Sequence, residues 1–475
     1  MKEYINIIGG GLAGCEAAYQ IAKRGIRVKL YEMKPKKFSP AHSNRNLAEI
    51  VCSNSFKSNL LTNACGLLKE ELRCLDSLLI KTADKVRVPA GQALAVDREM
   101  FSKIVTNSIE NNKLIEIINK EVISKYDDNE DKKSKNIYLE DLIEDTITII
   151  ATGPLTSDSL SIGIKKLTGE DELAFYDAAA PIILKDSIDF NIAFYGDRYN
   201  EEKKKDESIE EWINRIKSDK SDYINLPMNK EEYENFIYEL INAQVAELHS
   251  FEKREIFEGC MPIEIMAKRG IDTLRFGPLK PVGFDDPRTG KRPYAVVQLR
   301  QDNVKASLYN LVGFQTNLKY GEQKRIFSMI PGLRNAEFVK YGVMHRNTFI
   351  NSPILLDNRY NFRKKSNIFF AGQITGVEGY VESISSGLVA GLNATNMVKN
   401  SKQIIFSNET MIGALAKYIS TLNKNFQPMN ANFGILPELE GNKIKDKKKK
   451  YEELSKRSLE IIKKYYNSEI YLNYE

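Results

Sequence analysis

Cysteine, histidine and tryptophan are scarce in this chain: five, three and one among 475 residues. The cysteines, Cys15, Cys52, Cys65, Cys74 and Cys260, contain no C-x-x-C pair, which argues against a zinc site of that type. No apolar run approaches the length of a bilayer span. Met1-Lys2-Glu3 leads straight into the first strand with no signal sequence, so the protein is expected in the cytoplasm with its thiols reduced. Charge of neither sign dominates. With 69 Lys and Arg against 64 Asp and Glu, the net +5 makes no case for a nucleic-acid partner, so any such footprint has to be local. What remains is a globular composition, 42% hydrophobic and 28% charged, long enough for two or three domains.

One stretch organises the rest. Tyr4 to Glu32 reads YINIIGGGLAGCEAAYQIAKRGIRVKLYE. Tyr4 to Ile8 suits a buried parallel strand. Ala13 to Arg24 carries apolar residues at helical spacing, Gly25 stops that helix, and Arg27 to Tyr31 reads as a second strand ending at Glu32. Gly9, Gly11 and Gly14 fall at G-x-G-x-x-G spacing. In a dinucleotide site the first allows the tight turn, the second lets a pyrophosphate approach, and the third lets helix and strand pack closely. The helix start, with Gly10, Leu12 and Ala13, offers unpaired amides and partial positive charge to phosphates. Glu32, 18 residues after Gly14, is placed to accept hydrogen bonds from a ribose diol. A glycine pattern alone is weak evidence. The strand, turn, helix, strand and acid in the right order point to a bound dinucleotide.

Further along, Ile50 and Val51 give way at Cys52 to Ser53, Asn54 and Ser55, which read as capping and turn residues. Cys52 is then either a reactive thiol beside a helix start or a buried thiol before a cap. Cys15, Cys65 and Cys74 read as core. VRVPAGQALAVD suits an extended segment turning at Pro89-Ala90-Gly91, and Arg98 to Asn112 reads as helix. The charged stretches 125–141 and 200–220 read as surface insertions, the second an amphipathic helix bearing Trp212. Thr146 to Gly153 and Asn367 to Gly372 read as buried strands ending in small-residue turns. The latter feeds a small-residue helix from Ser385 to Ala394. Between about 185 and 330, strand-like and turn-like segments alternate as if inserted. There Lys268, Arg269, Arg275, Lys280, Arg288, Lys291, Arg292 and Arg300 accumulate, interleaved with Phe276 and Tyr294. That is either a solvated face or a polyanion surface. The lysine-rich KIKDKKKKYEELSKR near the end reads as exposed helix.

The strings VCSNS, LLKEELR, PAGQALAVDR, GEDELAFYDAAAP, FEGCMPIE, GKRPYAVVQLRQDN, YGVMHRNTFINSP, FFAGQITGVEGYVES and KNFQPMNANFG run in order through nearly the whole chain. Together they resemble the folate- and FAD-dependent tRNA (uracil-5-)-methyltransferases. The resemblance implies an α/β fold, a glutathione-reductase-like two-part FAD-binding domain with an inserted mixed α/β domain. The expected division is 1–185 and 336–400 for the two FAD parts, 186–335 for the insert and 401–475 for a helical end.

It also implies the chemistry. A thiolate attacks uracil C6 and makes C5 nucleophilic. The one-carbon unit comes from 5,10-methylenetetrahydrofolate and is reduced by FAD, with NAD(P)H as reductant. Cys260, in FEGC, matches the family's nucleophile, and Cys52, in VCSNS, the residue proposed to remove the C5 proton. Gly372, Gln373 and Tyr380 match the flavin end, where Tyr380 either packs or stacks beside a ring. Lys268, Arg269, Arg275, Lys280 and Arg292 are the expected RNA contacts. RNA is the implied partner, with neither membrane nor DNA: a tRNA T-loop uridine (position 54) first, a 23S rRNA uridine second. A small-molecule FAD oxidoreductase is the alternative of another class. The sequence departs from the family pattern at Ser43, Gln92, Leu226 and Asn317-Leu318-Lys319-Tyr320, places expected to be loops near substrate. Of the histidines, His249 reads as surface, and His345 as structural or substrate-facing. His42 is the third.

Overall fold

The structure, a computed structural model, describes residues 4–127, 136–170, 173–197, 221–246, 261–424, 426–441 and 444–468, with the backbone alone for 173–177 and 345–346. The insertion bearing Trp212, His249 and Cys260 lie outside the described residues, as does the side chain of His345.

Five parallel strands form the central sheet, in the order Ile368–Phe370, Thr148–Ile150, β1 (Tyr4–Ile8), β2 (Arg27–Glu32) and Ile115–Asn119. Their runs of Ile, Val, Leu and Phe suit burial on both faces, as a covered parallel sheet requires. β1 sits where the winding direction reverses, with β2 on one side and Thr148–Ile150 on the other. Ligands of such sheets bind at that switch point, beyond the carboxyl ends of the strands. Helix α1 (Leu12–Ala22) leaves β1 there.

Against α1 packs a long helix, Tyr380–Val398, sixteen of whose nineteen residues are buried. The sequence reading starts this helix only at Ser385. The glycines of GVEGY suggest a loop, but Gly379 is the cap and Tyr380 already lies in the first turn. Small residues bring the two backbones together. A Cβ on Gly387 would lie 2.2 Å from the Ala13 carbonyl oxygen, and one on Gly391 3.0 Å from Ala17 Cα.

A second sheet is antiparallel and has its own apolar core. Its six strands run Phe194–Tyr195, Tyr223–Met228, Ala295–Gln301, Leu308–Leu311, Ile182–Leu184, Phe338–Lys340. It draws its last two strands from just outside 186–335. Leu226, expected in a loop, is a fully buried residue of the Tyr223–Met228 strand. The pair Leu173–Ala178 and Met344–Phe349 runs antiparallel between the two regions.

The C-terminal helix Lys447–Tyr466 is not simply exposed. It buries Leu454, Ser455, Ser458 and Ile462, and Ser455 Oγ donates to Leu61 O at 2.7 Å, just before helix α2 (Ala64–Cys74). No helix among the described residues is long and apolar enough to cross a membrane.

Candidate functional site: a cleft from Glu32 to Cys52

Of three tightly packed glycines of the first turn, Gly9 and Gly14 are demanded by the backbone itself, while Gly10 meets only side chains. Gly9 has φ +104°, and a Cβ there would lie 2.5 Å from Ala151 O; at Gly10 it would meet Leu47 Cδ2 at 2.6 Å; at Gly14 it would lie 1.9 Å from Gly9 O. Gly11 differs: a Cβ there would meet nothing within 4 Å, because the residue faces an open cleft. No side chain caps α1, so its first-turn amides are left for a ligand.

Glu32 lies at one end of the cleft. Its Oε2 accepts from Gly10 N at 2.8 Å and its Oε1 from Lys34 N at 2.9 Å, which fixes the carboxylate with lone pairs to spare. A cavity of about 90 Å³ opens beside it, lined by Tyr31, Met33 and Ser39 among others. A larger one, about 380 Å³, continues past Leu12, Ala13, Gly372 and Gln373 to Cys52 and Tyr380. Gly11, His42, Glu49 and Ala151 line both, so the two cavities adjoin. A buried carboxylate, a bare helix start and a mostly apolar chamber, in that order, fit the ribose, pyrophosphate and ring of a flavin dinucleotide. A Gly11→Val chain should therefore fold with a wild-type denaturation midpoint yet carry no flavin, its side chain filling the cradle. Flavin absorbance per protein measures this, and full loading of the variant would place the phosphates elsewhere.

At the far end, Cys52 is not beside a helix start. The residues after it enter a short strand, β3 (Ser55–Ser58), and Asn54 serves a buried network rather than a cap. Its Nδ2 donates to Val96 O at 3.1 Å and Gln301 O at 2.9 Å. Its Oδ1 accepts from Arg300 Nε at 3.1 Å and Asn310 Nδ2 at 3.2 Å. Arg300 also donates to Ser53 Oγ at 2.7 Å. On the preceding side, Arg98 donates to Ile50 O and Val51 O at 3.2 and 3.4 Å and pairs with Asp302 at 3.1 Å.

The Tyr380 hydroxyl accepts from both Cys52 N, at 2.9 Å, and Ser53 N, at 3.1 Å. Two such bonds, each worth about 1 kcal/mol net, tie the start of the helix Tyr380–Val398 to a loop that is itself neither helix nor strand. Burial raises the Tyr380 pKa further than any other cause, and Cys52 adds to it, so the phenol stays neutral. Its ring borders the chamber, 5.6 Å from that of Phe56. The Cys52 thiol itself reaches Ala178 O at 3.6 Å.

Among the described cysteines only Cys52 lines the chamber. Burial raises the pKa of Cys15 and Cys74, and pushes that of Cys65 up to about 12. These three are packing thiols, as the sequence suggests, although Cys74 is only half-buried.

The basic run is less uniform than its sequence. Lys268, Arg269, Arg288, Lys291 and Arg292 are exposed, and Arg275 and Lys280 half-buried. Arg288 pairs with Asp286 at 2.8 Å. Arg275 pairs with Asp272 at 2.8 Å while its guanidinium lies 3.6 Å over the Tyr294 ring. Arg300 does not belong to a surface at all: it is 9% exposed and pins the Cys52 loop. Sequence reasoning missed Arg98 and Glu49 and read Asn54 as a cap. The first lies in PAGQALAVDR, but nothing local marks an arginine whose partner is 204 residues away.

Residues 4–402 match the Glucose inhibited division protein A family. The chain is 57% identical, over 98% of its length and 99% of the relative's, to a curated Acetivibrio thermocellus protein named methylenetetrahydrofolate--tRNA-(uracil-5-)-methyltransferase TrmFO. It is 53% identical over the same shares to a protein of that name from Ligilactobacillus salivarius. Among solved structures, Aquifex aeolicus GidA in its form I crystal aligns with a TM-score of 0.64 at 16% identity, covering 97% of this chain and 78% of that one. That likeness shows the two-part flavoprotein fold, and identity above half along the full length of the relatives narrows the group. The chain belongs to the Glucose inhibited division protein A family and, within it, to the methylenetetrahydrofolate--tRNA-(uracil-5-)-methyltransferases.

Proposed function

We propose that this protein methylates C5 of a uridine in tRNA, using 5,10-methylenetetrahydrofolate as one-carbon donor, FAD as redox cofactor and NAD(P)H as the source of electrons. The observation that carries the reading is the pair of adjoining cavities that run from Glu32 past Gly11 to Cys52. FAD, when bound, supplies the electrons that turn the one-carbon unit into a methyl group. Gly9 to Gly14 and Glu32 would hold its phosphates and ribose, and Gly372, Gln373 and Tyr380 would hold its flavin end.

The protein's own contribution is nucleophilic and acid–base. Cys260 adds as thiolate to uracil C6, forming an S–C6 bond and leaving C5 as the enolate carbon that takes the one-carbon unit. Cys52, at the chamber wall, accepts the C5 proton as the bond from the one-carbon unit to the folate nitrogen breaks and tetrahydrofolate leaves. A hydride equivalent then turns the exocyclic methylene into methyl, and the Cys260 thiolate leaves C6 to restore the pyrimidine. Tyr380, Arg98 and Arg300 act earlier, by fixing the backbone on either side of Cys52. The work belongs in the cytoplasm, where the RNA is, with residues 186–335 as the RNA-facing part.

Incubating the protein with an unmodified tRNA transcript, NADPH and labelled methylenetetrahydrofolate should place label in 5-methyluridine, read by nucleoside mass spectrometry. No label, or equal methylation without folate, would overturn the proposal. A 23S rRNA fragment methylated in preference to the tRNA would move the target while keeping the chemistry.

The exposed part of the basic run supplies phosphate contacts. Lys268→Ala and Arg292→Ala should weaken tRNA binding and each flatten the salt dependence by roughly one slope unit. Flavin content should not change. Unchanged slopes in both would put the RNA path elsewhere.

A further inference from the structure

Outside the cleft, three aromatic rings form a near-parallel column. Phe338 and Tyr341 lie 5.5 Å apart between centroids at 11°, and Tyr341 and Tyr320 5.1 Å apart at 18°. The inner end is anchored, since Phe338 sits on the edge strand Phe338–Lys340 and its ring lies 6.5 Å from that of fully buried Phe327. The outer end is free to bind: Tyr320 is 57% exposed. Tyr320 is the first residue of the helix Tyr320–Phe327, Lys319 is its cap, and Lys324 lies one turn on, both lysines exposed. A cavity of about 290 Å³ runs alongside, lined by Asn317 to Tyr320, Gly342 to Met344 and Ala246.

The column stands close to the chamber. Gln315 lines the chamber, and five residues later the chain reaches Tyr320. Ala178 O receives the Cys52 thiol at 3.6 Å, while the next residue, Ala179, donates its amide to Val343 O at 2.9 Å. One strand of backbone thus separates Cys52 from the wall of the second cavity.

We infer that Tyr320 is a stacking platform for an unpaired nucleobase of the RNA, with Lys319 and Lys324 beside it for the phosphates. The inference rests on the RNA reading above. A ring already stacked on two others has little freedom left to lose, and it presents a flat face that any base can cover. The neighbouring cations suit a polyanion better than a neutral peptide. RNA modules that read single strands use the same pairing of aromatic face and positive edge.

The test is a set of fluorescence anisotropy titrations of a labelled unmodified tRNA transcript at several salt concentrations. Base–aromatic stacking is worth about 1–3 kcal/mol, so Tyr320→Ala should weaken binding by roughly 5- to 150-fold. Stacking releases no counterions, so the salt slope should match wild type. Tyr320→Phe and Tyr320→Trp should bind like wild type, and all three variants should keep full flavin. Wild-type affinity in Tyr320→Ala would overturn the platform. So would a Phe variant as weak as Ala, which would mean a hydroxyl contact, or a flattened slope, which would mean a charge effect. A wild-type protein that binds no tRNA would instead overturn the RNA reading, and the platform with it.

Discussion

Cys260→Ala should abolish both methyl transfer and the covalent adduct with 5-fluorouracil-containing RNA, whereas Cys52→Ala should abolish transfer and leave the adduct intact. The reason is the order of bonds. On the proposed assignment the adduct forms when the thiolate of Cys260 adds to C6, and it accumulates because fluorine at C5 cannot be removed as the proton is. Removing the nucleophile therefore removes everything downstream, and turnover should fall on the order of 10⁴-fold or more. Removing the base stops the reaction only after that bond exists, with a loss of about 10²- to 10⁴-fold. Cys52→Ala keeps the backbone amide that donates to the Tyr380 hydroxyl at 2.9 Å, so the loop should hold its place. The flavin spectrum should still shift, since the thiol borders the chamber. Gel shift of the RNA–protein adduct and the initial rate of 5-methyluridine formation give the two readings. The reverse pattern would exchange the two assignments.

Gly387→Val should destabilise the protein by more than about 3 kcal/mol and strip it of flavin. Overpacking a well-packed core usually costs about 1–3 kcal/mol because neighbours give way. Here the obstacle is the Ala13 carbonyl, 2.2 Å from the new Cβ. Backbone cannot rotate aside as a side chain can. The helices must separate, and α1 carries the turn that faces the cleft. Gly391→Ala meets Ala17 Cα at 3.0 Å and should cost less. Urea midpoints and flavin absorbance of the two variants give the comparison, and a wild-type midpoint for Gly387→Val would mean that the packing yields more easily than its geometry implies.

Much of the dinucleotide half was legible beforehand because its signals are local. A strand, a glycine turn, a helix and an acid follow one another within Tyr4 to Glu32, and each rule acts over a few residues. The surroundings of Cys52 were not legible, because they are assembled from Arg98, Arg300, Asn310 and Tyr380. The amide of Cys52 and the hydroxyl it meets are 328 residues apart. Arg300 was misread for a related reason. Its strand, Ala295–Gln301, is buried at every position, so no alternation of polar and apolar residues separates it from the exposed basic run just before it. The C-terminal helix was misread because its lysine-rich start masks an inner face on which Ser455 and Ser458 interrupt the apolar stripe of Leu454 and Ile462. Ser458 gives its hydroxyl to Glu71, which also accepts the amides of Met411 and Ile412 at 2.7 and 2.8 Å, and serine carries no hydrophobic signal.

Arg300 belongs to the insert's sheet, yet its guanidinium ends on Ser53 and Asn54. Those residues are thus wedged between the parts of the chain expected to meet flavin and RNA. With Arg98 and Asp302 closing the other flank, the loop around Cys52 is held from both sides. Any free energy that a ligand on one side spends on moving this loop is owed equally by a ligand on the other, because coupling between two sites is reciprocal. If flavin and RNA each favour one arrangement of this loop, flavin occupancy would strengthen or weaken RNA binding by the same factor that RNA changes the hold on flavin.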